Sequence, residues 1–180
     1  MPEPSAMDVE HLALIRENVR RLIDRVAGMA PRAGRVLDVA PQDHEGAGPH
    51  FPDATVDTID IDPDAGCTYV GDICRHNAAI PDSHYDVVVC TEVLEHVLQP
   101  FDAVAELRRV LRPGGLLAVS TPFNFRVHGP LPDCWRFTEH GLRALLSDFD
   151  IVRLDALETP DRPLMPIHHT VIAARPADRG

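Results

Sequence analysis

Glu92, Glu95 and His96 lie in the run Cys90-Thr-Glu-Val-Leu-Glu-His-Val97, directly after the strand-like stretch Tyr85-Asp-Val-Val-Val89. If a helix begins near Glu92, positions i, i+3 and i+4 fall on one face and point two carboxylates and an imidazole at the strand's carboxyl end. In a parallel α/β sheet that end is where ligands bind. Such a set can take a proton from a reacting group or contact a substrate, and it also has the donors for a divalent cation. A plain structural role stays open beside these, because acids in a helix's first turn are favoured by the dipole alone.

The elements that would position these groups follow from periodicity. Leu12, Ile15, Val19, Leu22, Ile23 and Val26 recur at three to four residue steps, which predicts a helix from about Met7 to Met29, ended near Gly28 and Pro31. From Arg35 onward short β-rich runs alternate with helical ones. Strands are expected near 35–39, 55–61, 68–70, 85–90 and 115–120, with two final strands at about 149–155 and 167–174. A helix over Phe101 to Leu111 has Pro100 near its start, Arg108, Arg109 and Arg112 at its negative end, and Pro113-Gly114-Gly115 as its stop. Another starts at Thr138, an expected N-cap, and carries Leu142, Leu145 and Leu146. This alternation predicts an α/β fold with a mostly parallel seven-stranded sheet and helices on both faces. Residues 1–180 make one domain, with an N-terminal helix within 1–30 and a long loop over 121–137.

Composition narrows the function classes. A formal net charge of −11 argues against nonspecific nucleic-acid binding, which needs clustered Lys and Arg. No apolar run approaches the ~20 residues that cross a bilayer, and the N-terminus lacks a signal-peptide pattern, so a cytoplasmic protein without membrane partners is expected. Cys67, Cys74, Cys90 and Cys134 form no C-x-x-C pair and read as reduced structural thiols. A second copy of the chain is a conceivable partner through the N-terminal helix.

Several motifs then occur in a telling order. Arg35-Val-Leu-Asp-Val39 is followed by Val56-Asp-Thr-Ile-Asp60, by Tyr69-Val-Gly-Asp-Ile73, by Tyr85 to Val97, and by Leu107-Arg-Arg-Val-Leu-Arg-Pro-Gly-Gly-Leu-Leu-Ala-Val-Ser-Thr-Pro122. Over roughly Arg35 to Asp150 the chain resembles a class I S-adenosylmethionine-dependent methyltransferase of the small bacterial type that acts on saccharides and natural products. The resemblance implies a Rossmann-like fold and S-adenosylmethionine as cofactor. It places Asp60 at the ribose hydroxyls with Ile61 beside it, Asp72 and the backbone of Ile73 at the adenine, and Asp38 near the methionine portion, with Thr91 completing the set. The alternatives are turn chemistry for Asp60 and Asp72 and loop ordering for Asp38.

One departure stands out. Instead of Gly-x-Gly, the first loop reads Val39-Ala40-Pro41-Gln42-Asp43-His44-Glu45-Gly46-Ala47-Gly48. Ala40 carries a Cβ, and Pro41 lacks an N–H and fixes φ, so the cofactor's amino-acid end must be held differently, with Gln42 as a polar contact.

The Glu-x-x-Glu-His pattern is similar to the divalent-metal motif of ubiquinone-pathway O-methyltransferases and small-RNA 2′-O-methyltransferases. That likeness makes Glu92, Glu95 and His96 a potential Mg²⁺ site, with His128 as a fourth ligand. Metal-free, Glu92, His96 and His128 are the candidate catalytic groups. The long loop supplies Asn124, Arg126, Asp133, Trp135 and Arg136 as substrate contacts, hydrogen-bonding groups beside a flat aromatic surface. His168 and His169 are read as structural, since adjacent strand residues point to opposite faces. The expected activity is methylation of a hydroxyl on a small polar metabolite such as a saccharide, nucleoside or glycosylated natural product. The alternative from another class is a noncatalytic binding or scaffold protein with this fold.

Overall fold

The computed structural model describes residues 2–41 and 46–177. Its first element, α1 (Ala6–Met29), starts at a capping box in which Ser5 and Asp8 satisfy each other's backbone N–H groups. The strands are β1 (Arg35–Val39), β2 (Thr55–Asp60), β3 (Tyr69–Val70), β4 (Tyr85–Thr91), β5 (Leu111–Pro122), β6 (Asp150–Thr159) and β7 (Arg162–Ala174). Two further helices, α2 (Pro100–Val110) and α3 (Glu139–Leu145), follow β4 and precede β6. Thr138 caps α3 as expected, its Oγ1 accepting from the N–H of Gly141 at 3.1 Å.

The seven strands form one sheet in the order β3-β2-β1-β4-β5-β7-β6. Pairs β1–β2, β1–β4, β2–β3 and β4–β5 are parallel, whereas β7 runs antiparallel to both β5 and β6. The chain winds one way from β1 through β3 and the other way from β4, so the reversal lies between β1 and β4. That switch point opens a crevice at the strands' carboxyl ends.

β4 explains the two cores, because every one of its residues is buried. Successive side chains point to opposite faces. Val88 and Cys90 join Leu37 and Val39 of β1 under α2 and α3, with Leu107, Val110, Leu142 and Leu145 closing that side. Val87 and Val89 join Val36 on the other face, where Ile15, Val19, Leu22, Ile23 and Val26 of α1 pack. A strand buried throughout, with an unbroken apolar centre from Val87 to Cys90, is what a parallel sheet covered on both faces requires.

Three boundaries differ from the sequence expectation. The Pro113-Gly114-Gly115 run is not simply a helix stop: α2 ends at Val110, and Leu111 already pairs with Tyr85. Gly114, at φ 78°, then carries the chain through a register shift before Leu116 pairs with Val87. β6 and β7 extend past their expected ends into a long hairpin, since hydrogen-bonded pairing continues beyond the apolar core. Most consequentially, no helix forms near Glu92. Among the described residues, no helix is long and apolar enough to cross a membrane.

The capping box yields a direct test. Ser5→Ala should lower stability by about 1 kcal/mol, read as a shift in urea midpoint at unchanged slope. No shift would show that the first turn of α1 contributes nothing to the folded state.

Candidate functional site

The turn after β1 sits at the crevice. Ala40 donates its N–H to Ile59 O of β2 at 2.8 Å and adopts φ 51°, a left-handed backbone usually left to glycine. The chain therefore makes the sharp turn despite the Cβ. Asp38 is buried, and its Oδ2 accepts from Ala47 N at 2.6 Å, which draws the far side of the loop back onto β1. Gly46 is tailored to that closure, since a Cβ there would lie 2.7 Å from the same oxygen. Burial pushes Asp38 up to about 6, and the Ala47 hydrogen bond only partly opposes this. Gln42 lies outside the described residues.

Asp60 closes β2 and is buried, with Oδ1 accepting from Asp62 N at 2.9 Å. Its other oxygen has no protein partner among the described residues, and Ile61 beside it is 69% exposed. Asp72 is more fully engaged: Oδ1 accepts from Cys74 N at 2.9 Å and Oδ2 lies 3.5 Å from Arg75 Nε, while Ile73 is buried. Thr91 is buried at the end of β4.

The expected helical presentation of Glu92, Glu95 and His96 is replaced by a turn. Glu92 takes φ 55°, and its N–H donates to Ser120 O at 3.1 Å, so β4's pairing with β5 continues into a kink. The kink gives the two carboxylates different partners while leaving them close enough for their charges to interact. Glu92 Oε1 accepts from Ser120 Oγ at 2.8 Å and lies 2.7 Å from Nε2 of His168 on β7. Burial raises Glu92, but the contacts to His168 and Ser120 outweigh it and hold the carboxyl below its usual range. Glu95 turns the other way, fully buried, and neither of its carboxylate oxygens has a hydrogen-bond partner. Burial and the nearby Glu92 charge push Glu95 well above the usual carboxylate range.

Glu95, His96 and His128 form one cluster, their ligand atoms within 4.8 Å of one another. Glu92, expected in that set, does not belong to it, because its turn commits it to His168. His96 Nδ1 faces Pro132 O at 3.0 Å, and His128 Nδ1 faces Asp133 Oδ2 at 3.1 Å and Arg126 O at 3.3 Å. These partners only accept, so both Nδ1 atoms donate, and in the neutral tautomer each Nε2 is left as the atom with a lone pair. The two Nε2 atoms lie 3.7 and 3.9 Å from Glu95 Oε1. Burial lowers His128 and favours its neutral form.

The loop that follows β5 is pinned at many points. Cys134 N and Trp135 N donate to the backbone oxygen of Glu95 at 2.7 and 3.1 Å, and Trp135 Nε1 donates to Val97 O at 2.8 Å. Asp133, held down at about 2, accepts from Arg136, which also reaches the backbone oxygens of Phe125 and Arg126. Burial alone would raise Asp133, and the contacts with Arg136 and His128 N override it. Asn124 donates to Thr159 Oγ1 at 3.2 Å, and its backbone oxygen faces His11 Nδ1 at 2.9 Å. Arg126 donates to Pro2 O at 2.6 Å and lies 3.5 Å from Asp8. Trp135, 41% exposed, stacks with Phe137 over a shallow apolar groove of about 330 Å³ that Leu98, Pro100 and Phe101 complete.

This geometry meets its family at the level of sequence. The profile of a methyltransferase domain family matches residues 11–154, which takes in most of α1, the crevice and both halves of the sheet's reversal. The chain belongs to this methyltransferase family.

Among curated relatives, demethylmenaquinone methyltransferase of Renibacterium salmoninarum is 34% identical over 136 residues, covering 70% of this chain and 55% of the relative. Ubiquinone biosynthesis O-methyltransferase of Proteus mirabilis is 41% identical over 54 residues, covering 30% of this chain and 22% of the relative. The chain thus spans about half the length of the first relative, and its match to the second takes in about a fifth. A solved S-adenosylmethionine-dependent methyltransferase from Methanosarcina mazei superposes with a TM-score of 0.63 at 20% identity, covering 82% of this chain and 95% of that one. The 1,6-didemethyltoxoflavin N1-methyltransferase of Burkholderia thailandensis, solved with S-adenosylhomocysteine, gives 0.61 at 18% identity, covering 99% and 94%. These structures share the class I fold, a seven-stranded, mostly parallel Rossmann-like sheet.

The sequence reading gave His168 a structural role and did not pick out Asn18, and the structure brings the two together beside Glu92. An Asn in the apolar stripe between Ile15 and Val19 was the available signal, since it is a poor helix former facing a sheet.

Asp38 gives the domain a pH signature. Its folded pKa of about 6 lies above the ordinary 3.8, so the folded state holds the proton more tightly. Its contribution is fully present below about pH 4 and is lost as pH rises through about 6, in total about 3 kcal/mol. Denaturation at a series of pH values should show this decline, and Asp38→Asn should flatten it. An unchanged slope in the variant would remove Asp38 as its source.

Proposed function

We propose that the chain is an S-adenosylmethionine-dependent methyltransferase that methylates a hydroxyl on a small polar metabolite such as a saccharide, nucleoside or glycosylated natural product. The observation that carries the reading is Ala40 at φ 51°. The glycine-like turn at the end of β1 is kept without the glycine, so the backbone route past the cofactor's place survives. The residues present fit the cofactor. Asp60 keeps one carboxylate oxygen for ribose hydroxyls, exposed Ile61 offers an apolar edge, and buried Asp38 faces the loop that would hold the amino-acid end. When bound, the cofactor supplies an electrophilic methyl group on a sulfonium.

The chain's task is then orientation, dryness and a destination for a proton. A hydroxyl acceptor must lose its proton when it is methylated, and the chain's own side chains would provide the base that takes it. Glu92 is held ionised at the strand's end with its side chain 22% exposed. Nε2 of His128, whose neutral form burial favours, offers a further lone pair, and His96 stands beside it. Trp135 supplies a flat face for the acceptor, while Asn124, Arg126, Asp133 and Arg136 shape the loop around it. The relatives' names include quinone and toxoflavin acceptors, so a flat ring or an N–H acceptor is the nearest variant of this reading.

Calorimetric titration with S-adenosylhomocysteine tests the cofactor half. Micromolar binding is expected, and Asp60→Ala should weaken it by about tenfold or more, as loss of a hydrogen-bonded carboxylate implies. Absence of binding by folded protein would favour a noncatalytic scaffold instead.

A second reading concerns Glu95, His96 and His128. Two imidazole lone pairs and a buried carboxylate converge with no protein donor among them, and each imidazole is oriented by an acceptor at Nδ1 as metal-ligating histidines are. This donor set suits a borderline ion such as Zn²⁺ or Mn²⁺ better than Mg²⁺, which prefers oxygen. Zn²⁺ titration should show one site per chain that Glu95→Gln abolishes. Equal binding by the variant would leave the trio a buried proton-sharing cluster.

A further inference from the structure

Glu92 has a strained backbone and a carefully defined side chain, and the definition comes from a residue on the far strand. His168 is fully buried on β7, between a helix and a kink. Its Nδ1 lies 2.9 Å from the amide nitrogen of Asn18 on α1, and its Nε2 lies 2.7 Å from Glu92 Oε1. The amide nitrogen can only donate, so Nδ1 accepts and the ring's proton sits on Nε2, aimed at the carboxylate. Ser120 Oγ donates to the same oxygen at 2.8 Å. With two donors on Oε1, the second oxygen has no protein partner among the described residues. Glu92 follows Thr91 at the carboxyl end of β4, beside the reversal of the sheet, in a left-handed backbone that a side-chain-bearing residue holds only where its surroundings demand it.

Resting on the S-adenosylmethionine reading above, we infer that His168, oriented by Asn18, is a positioning residue that turns the free oxygen of Glu92 toward the site of methyl transfer, where it receives a hydrogen-bond donor of the acceptor. The arrangement draws on four elements: Asn18 from α1, Ser120 from β5, His168 from β7 and Glu92 from the end of β4. Each supplies one fixed contact, so the carboxylate is oriented before any acceptor arrives and loses no rotational freedom on binding it. An ionised oxygen there selects acceptors that present an O–H or N–H and disfavours those that present only a lone pair.

The test needs no knowledge of the acceptor. Sinefungin, an S-adenosylmethionine analogue, carries an amine in place of the transferable methyl, on a carbon that replaces the sulfur, whereas S-adenosylhomocysteine has nothing at the methyl position. The change in the ratio of their affinities between wild type and a variant therefore reads the contact that the variant removes. Wild type should prefer sinefungin by about tenfold or more, the size of a charge-assisted hydrogen bond. Glu92→Gln and His168→Ala should each lose most of that preference while S-adenosylhomocysteine binds as before. Asn18→Ala should lose part of it, and His168→Gln, whose amide nitrogen can replace Nε2–H, should restore it. A preference lost in Glu92→Gln but intact in both His168→Ala and Asn18→Ala overturns the positioning role. A preference intact in Glu92→Gln overturns the placement of its oxygen. Failure of the wild type to bind either ligand overturns the cofactor reading itself, and this inference with it. If His168→Ala does not fold, Asn18→Ala and His168→Gln decide the matter.

Discussion

The burial of β4 on both faces is the constraint on which the molecule depends. A strand with no solvated side has no room for polar chemistry along its length, so polar groups can gather only where it ends. Its amino end meets the end of α2 and the start of β5, a place of tight backbone pairing. Its carboxyl end meets the reversal between β1 and β4, where neighbouring connections diverge and leave space. Asp38, Asp60, Thr91 and Glu92 all stand on that one edge for this reason.

Much of this was legible in the sequence because periodicity and burial agree there. The apolar stripe of α1, the Val-rich β4 and the Thr138 cap each declare themselves locally. The kink at Glu92 does not. Glu-Val-Leu-Glu-His has good helical spacing and an acid at its start, yet its backbone is captured by Ser120 O and its side chain by His168, both distant in the chain. Tertiary contacts outweighed propensity, and the presumed shared face of Glu92 and Glu95 dissolved with the helix. The first loop was misleading in the opposite sense. Ala40 and Pro41 suggested that the glycine turn was lost, whereas contacts on both sides, Ile59 O at one end and the Asp38–Ala47 hydrogen bond at the other, hold Ala40 in the glycine-like conformation.

The loop after β5 shows how polar residues of one segment divide their work. From sequence alone, Asn124, Arg126, Asp133, Trp135 and Arg136 look interchangeable as ligand contacts. In the fold, Asp133 and Arg136 brace each other, Asn124 ties the loop to the β6–β7 hairpin, and Trp135 keeps an exposed ring face. No pattern of spacing separates a brace from a contact, because the difference lies in which backbone oxygens happen to pass within reach.

The same loop is joined to the first turns of α1 through Pro2, Asp8 and His11. Helix start and loop are therefore one module for recombination, although more than a hundred residues separate them in the chain. A chimera that imports a relative's loop would carry Arg126 and Asn124 away from their anchors. The transplant has to bring the opening of the helix with it, and an affinity tag fused immediately before Pro2 would press on the contact by which Arg126 holds this loop.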